Sequence, residues 1–123
     1  MIKELSFEID ILNNEYWVNV YIGGVDNLRK KLIKHFKEDF FADDVIAFRG
    51  RTYYKKGFAP FIWVNLDNIN KRKDSFYATF AHEAIHAVSD ILDEIGADNA
   101  EEILAYSVGA IIRRYDNIKG IKQ

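Results

Sequence analysis

Thr79-Phe80-Ala81-His82-Glu83-Ala84-Ile85-His86-Ala87-Val88 sets three ionisable side chains into an otherwise uncharged stretch. Its period is helical. Gly96 supplies a stop signal, and Asp74 is placed to cap the start, so the spacing predicts a helix over 74–95. His82 and His86 are four residues apart, one turn, and share a face. Burial of three such groups is costly unless they are paired or bind a metal.

The spacing also divides the chemistry. Two imidazoles one turn apart can converge on one ion at about 2.0–2.1 Å. Glu83 is rotated too far around the helix to join them easily as a ligand. It is placed instead to take a proton from water beside the ion. His82 and His86 are therefore the expected metal ligands and Glu83 the expected general base. The chain has no cysteine, so a metal must be held by His, Asp or Glu, and Zn2+ is the expected ion.

A zinc site that leaves one position open needs a third protein ligand. The next helix, expected over 99–115, begins Asn99-Ala100-Glu101-Glu102-Ile103-Leu104-Ala105-Tyr106. Joined by a short loop, it should pack back against the first. Leu104, Val108, Ile111 and Tyr115 form one stripe, which Glu101 continues. Ala105, Gly109 and Ile112 form the neighbouring stripe, which Glu102 continues. Small residues let helix backbones approach closely, so the Ala105–Gly109 stripe is the expected contact. Glu102 is favoured as third ligand, with Glu101 as the alternative.

Outward from these helices the patterns are those of strands. Leu5, Phe7, Ile9 and Ile11 alternate with Ser6, Glu8 and Asp10; Asn13-Asn14 supplies a turn, and Tyr16, Val18, Val20 and Ile22 alternate in their turn. This predicts an N-terminal hairpin ended by Gly23-Gly24. Residues 25–37 have helical period, with Leu28, Leu32, Ile33 and Phe36 as an apolar stripe among Arg29, Lys30, Lys31, Lys34 and Lys37. His35 is expected to be exposed there. Residues 51–54 and 61–66 read as further strands, and 67–73 as a polar loop. The order β-β-α-β-β-α-α predicts a single α+β domain, residues 1–123, with a small, mainly antiparallel sheet.

A net charge of −2 supplies no global basic field, so nucleic acid is not an expected partner, and the basic stretch at 29–37 reads as a solvated helix face. No uninterrupted apolar run is long enough to cross a bilayer, and no apolar signal region follows Met1-Ile2-Lys3-Glu4. The expected setting is the cytoplasm, with no membrane partner.

His82-Glu83-x-x-His86 followed by a helix carrying a ligand Glu resembles the gluzincin group of zincin metallopeptidases. The Glu102-to-Ala105 step resembles the ligand helix of small zincins of the ImmA/IrrE type. The Glu101-Glu102-x-x-Ala105-Tyr106 segment is similar to that of short phage-encoded zincin-like proteins. The resemblance covers roughly 61–115. It implies a minimal zincin-like fold and amide hydrolysis in a peptide or protein substrate, with His82, His86 and Glu102 on zinc and Glu83 as base. It also implies a host-cell cytoplasmic setting for a phage-encoded chain. The larger gluzincins add a C-terminal subdomain that supplies a transition-state stabiliser. No equivalent of that subdomain is expected within residues 1–123, and Tyr106 is the expected nearest substitute. The family places an edge strand beside the cleft, here 61–66 with Trp63 and Asn65 facing it. A non-catalytic domain that binds a phage or host protein, or a protein partner that completes the cleft, is the alternative implication.

Overall fold

The computed structural model describes residues 2–12, 15–69, 75–96 and 100–122. The two alternating segments form β1 (Leu5–Ile11) and β2 (Tyr16–Gly23), antiparallel, with Leu5 opposite Ile22 and Ile11 opposite Tyr16. The expected Asn13-Asn14 turn and Asp74 cap lie outside the described residues. The basic stretch forms α1 (Val25–Phe36), closed by Lys37 in the left-handed region at φ 61°, whose N–H bonds the Ile33 carbonyl. A 3-10 turn (Asp43–Ala47), β3 (Gly50–Tyr53) and β4 (Phe61–Asn65) follow. Then come a single helical turn, α2 (Leu66–Ile69), and the two long helices α3 (Phe76–Ile95) and α4 (Ala100–Lys122).

The expected order of strands and long helices is observed. Two boundaries differ by more than a residue or so. The first part of the expected polar loop at 67–73 is helical, because the Asn65 side-chain Oδ1 accepts the Asp67 N–H at 3.0 Å and starts the turn. The last helix continues beyond Tyr115, since Ile118 still packs on the core.

The sheet is mixed, in the order β1-β2-β4-β3. Its outer pairs are antiparallel, and β2 and β4 are parallel. Parallel neighbours need a crossover, and the chain between β2 and β4 supplies it through α1. This corrects the placing of 61–66 at the edge: β4 is interior and all five of its residues are buried. An almost continuous apolar run is the signature of a strand covered on both faces. Among the described residues, the free edge beyond β4 belongs to β3.

Helices cover both faces. Val18, Val20, Ile22, Ile62 and Val64 meet α3 and α4 through Phe76, Phe80, Val88, Ile111 and Tyr115. Tyr21, Tyr53, Phe61 and Trp63 meet α1 through Leu28, Leu32 and Phe36. Each large apolar side chain buried here contributes about 1.5–3 kcal/mol. Buried Trp63 donates its indole N–H to the Gly23 carbonyl at 3.0 Å, so its polar atom is satisfied. Ile33, expected in the buried stripe of α1, is exposed. His35, expected to be exposed, is partly buried: its Nδ1 lies 2.6 Å from Asn19 Nδ2, and its Nε2 lies 2.6 Å from the Ala59 carbonyl. No helix among the described residues is long and apolar enough to cross a membrane.

Candidate metal centre and its groove

On α3 the inward stripe is Phe76, Phe80, Glu83, Ala84, Ala87, Val88, Ile91 and Leu92. Glu83 is the charged member of that stripe and is 8% exposed. His82 and His86 project from the neighbouring, exposed face. The desolvation expected for all three groups therefore falls on Glu83 alone.

The two imidazoles converge. Their Nε2 atoms are 3.2 Å apart, and the ring centroids 4.8 Å. Two nitrogens at about 2.0–2.1 Å from one tetrahedral ion stand about 3.3 Å apart, so this half of the donor set fits a zinc ion. The same separation also suits an N–H···N hydrogen bond between the rings.

Glu83 is held from the free edge of the sheet. Thr52 Oγ1 lies 2.7 Å from the Glu83 carbonyl oxygen and 3.0 Å from its Oε1. Gly50, two residues earlier on the same face of β3, makes the approach possible. A Cβ added there would lie 2.8 Å from the Trp63 carbonyl oxygen, 2.9 Å from Thr79 Cγ2 and 3.2 Å from Glu83 Cγ. A strand residue without a side chain thus seats the helix against the sheet. An open groove of about 360 Å³ runs here, lined by Phe48, Arg49, Gly50, Thr79, His82 and Glu83 among others.

The remaining expected site residues are not gathered here. Glu101 and Glu102 are exposed on the first turn of α4. Among the described residues, no three His, Asp or Glu side chains are close enough together to hold a metal ion. Tyr106 is 75% exposed. The stripe reading behind Glu102 is corrected: Ala105 and Gly109 are exposed, and a Cβ added at Gly109 would stand in open space. Among the described residues of α4, Ser107, Ile111 and Tyr115 are buried, with Ile103, Leu104 and Val108 packed beside the core. Large apolar side chains outweighed the close backbone approach that small ones permit, because burial scales with apolar area.

Trp63 and Asn65, expected to face the cleft, are buried inside the molecule. Asn65 anchors a loop instead. Its amide donates to the carbonyls of Phe48 at 2.9 Å and Ile46 at 3.4 Å. The Asn68 amide reaches the same two carbonyls at 2.8 and 3.0 Å. Sequence reasoning missed Gly50, Thr52 and Arg49. A glycine opening a β-prone run was the one available signal for a close helix approach. Protein-family models, curated proteins and solved structures give no match to this chain.

Proposed function

We propose that this chain is a zinc-dependent hydrolase of the metallopeptidase kind, a minimal zincin-like domain in which the His helix lies beside a sheet edge. The observation that carries it is the pair of Nε2 atoms 3.2 Å apart, one residue from a buried carboxylate fixed to the edge strand. His82 and His86 are the first two ligands, and Glu102 is proposed as the third, with Glu101 as the alternative. Binding of the ion would draw that first turn of α4 into the site, since metal binding and local structure are coupled.

A bound zinc ion supplies Lewis acidity toward an amide carbonyl. Glu83 accepts the proton of the attacking water and passes it to the leaving amine. Thr52 fixes the carboxylate while it does so. The substrate is a peptide in extended form, laid along the free edge of β3. In the antiparallel pair the Arg49 carbonyl accepts the Asn65 N–H at 2.8 Å. The ladder alternates, so the backbone groups of Gly50 and Thr52 point away from β4 toward the open side.

Zinc content by mass spectrometry, paired with hydrolysis of a casein digest, tests the proposal. Wild type should hold about one zinc per chain and cleave. Glu83→Gln should keep the zinc and lose cleavage. Glu102→Ala should lose zinc, and Glu101→Ala should retain it. A metal-free wild type, or a Glu83→Gln variant that cleaves normally, would overturn it. The exposed position of Glu102 favours one other reading, a zinc domain that binds a protein partner without catalysis. There zinc would be present, and no substrate would be cut.

A further inference from the structure

The groove beside Glu83 carries a second, separate device at its mouth. Asn65 is completely buried, and it and Asn68 each donate to the carbonyls of Ile46 and Phe48. Two amides on two carbonyls is more anchoring than a surface connection needs. The next carbonyl, that of Arg49, is bonded to the Asn65 N–H. Arg51, on the opposite face of β3, places its guanidinium 5.8 Å from the Phe48 ring centroid and 5.1 Å from that of Tyr53. The backbone from 46 to 49 is therefore fixed from below and from the side.

This fixed segment presents exposed side chains. Ile46 is 53% and Phe48 36% exposed, and Arg49 is exposed next to them. Among the described residues that line the groove, Arg49 is the only Lys or Arg. It makes no ion pair among the described residues, whereas Arg29 and Lys55 each have a carboxylate partner. A fixed backbone leaves only the side chain to be ordered when a carboxylate binds, and the guanidinium presents a planar fork that matches it.

We infer that Arg49 sets the specificity of the groove, which takes extended peptides carrying an Asp or Glu side chain. The inference rests on the reading above for the peptide lying along β3, and adds which peptide lies there. The carboxylate meets Arg49 and neighbouring apolar side chains meet Phe48 and Ile46, while the peptide backbone meets Gly50 and Thr52.

The test uses the full chain with Glu83→Gln, so that bound peptides stay intact, and fluorescence anisotropy of short labelled peptide pools. The pools share an apolar background and differ at one fixed position, Glu, Gln or Lys. The Glu pool should bind about tenfold more tightly than the Gln pool, as expected for one charge-assisted hydrogen-bonded pair, and the Lys pool weakest. Arg49→Glu should reverse the order, and added salt should shrink it. Equal affinity for all pools, an order that survives Arg49→Glu, or no binding by any pool would overturn the inference. Zinc content measured on the same protein separates the two readings. An intact charge order without zinc removes the hydrolase and keeps the role of Arg49; zinc without a charge order does the reverse.

Discussion

Thr52 and Glu83 are joined across the gap between the sheet edge and the His helix, hydroxyl to carboxylate at 3.0 Å and hydroxyl to carbonyl at 2.7 Å. One hydroxyl proton serves two acceptors on the same residue. Its loss leaves a mostly buried carboxylate short of a donor. Thr52→Val should destabilise the fold by about 1–3 kcal/mol in urea unfolding. It should lower kcat for peptide hydrolysis without removing zinc, and Thr52→Ser should restore both. Full activity in the Val variant would show that Glu83 needs no such hold.

Gly50 sets how closely that helix can lie. Its absent Cβ is what keeps the Trp63 carbonyl, Thr79 and Glu83 clear of β3. Gly50→Ala should cost about 1–3 kcal/mol through overpacking, and Gly50→Val more. Thermal unfolding of the two variants beside wild type measures this. An unchanged Tm for Gly50→Val would mean that α3 can shift outward at little cost.

Replacing Asn65 should cost more than replacing Asn68, its partner on the same two carbonyls. Asn65→Leu keeps volume but deprives the Ile46 and Phe48 carbonyls of a buried donor and the Asp67 N–H of its acceptor. The Asn68 amide still donates to both carbonyls, so the expected loss is about 1–3 kcal/mol, chiefly from the Asp67 N–H left without its acceptor. Asn68→Ala, at a more exposed position, should cost less. Denaturant midpoints of the two variants check the ranking.

Zinc should stabilise the wild-type chain by mass action, by about 2.7 kcal/mol at a free concentration one hundred times Kd. His82→Ala and His86→Ala should each abolish this response while leaving the metal-free Tm nearly unchanged, because both imidazoles are exposed. A zinc response that persists in the double variant would place the ion elsewhere.

Alkaline unfolding should report Tyr53. Burial raises its hydroxyl pKa to about 12, above the ordinary value of 10.0. The folded chain holds this proton more tightly than the unfolded one. Its contribution is therefore complete below pH 10 and lost as pH rises toward 12, amounting to about 2–3 kcal/mol. Tyr53→Phe should flatten the fall in stability across that window. An equally steep fall in the variant would assign it to other groups.

The hairpin, the basic helix and the His helix were legible because each is a local pattern. Alternation of Leu5, Phe7, Ile9 and Ile11 can be satisfied only by a strand with one buried face, and Gly96 at φ 64° is where the helix spacing had to stop. The convergence of His82 and His86 follows from helical pitch alone. The place of β4 was not legible, because a run such as Phe61-Ile62-Trp63-Val64 says that two faces are covered and not which strands flank it. Nor was the face of α4. Two adjacent stripes competed, and the geometry of three layers decided for Ile111 and Tyr115 over Ala105 and Gly109.

By itself, then, the sequence determined the order of the main elements and the spacing that brings the two imidazole nitrogens together, since both depend on contacts within a turn or along a strand. Only the tertiary structure decided that β3 is the edge beside α3, that Thr52 and Gly50 are what Glu83 meets, that Arg49 stands at the groove, and that Glu102 lies apart from the histidines. Those are pairings between residues tens of positions apart. They are fixed by how apolar faces share one core, and no local period encodes that choice.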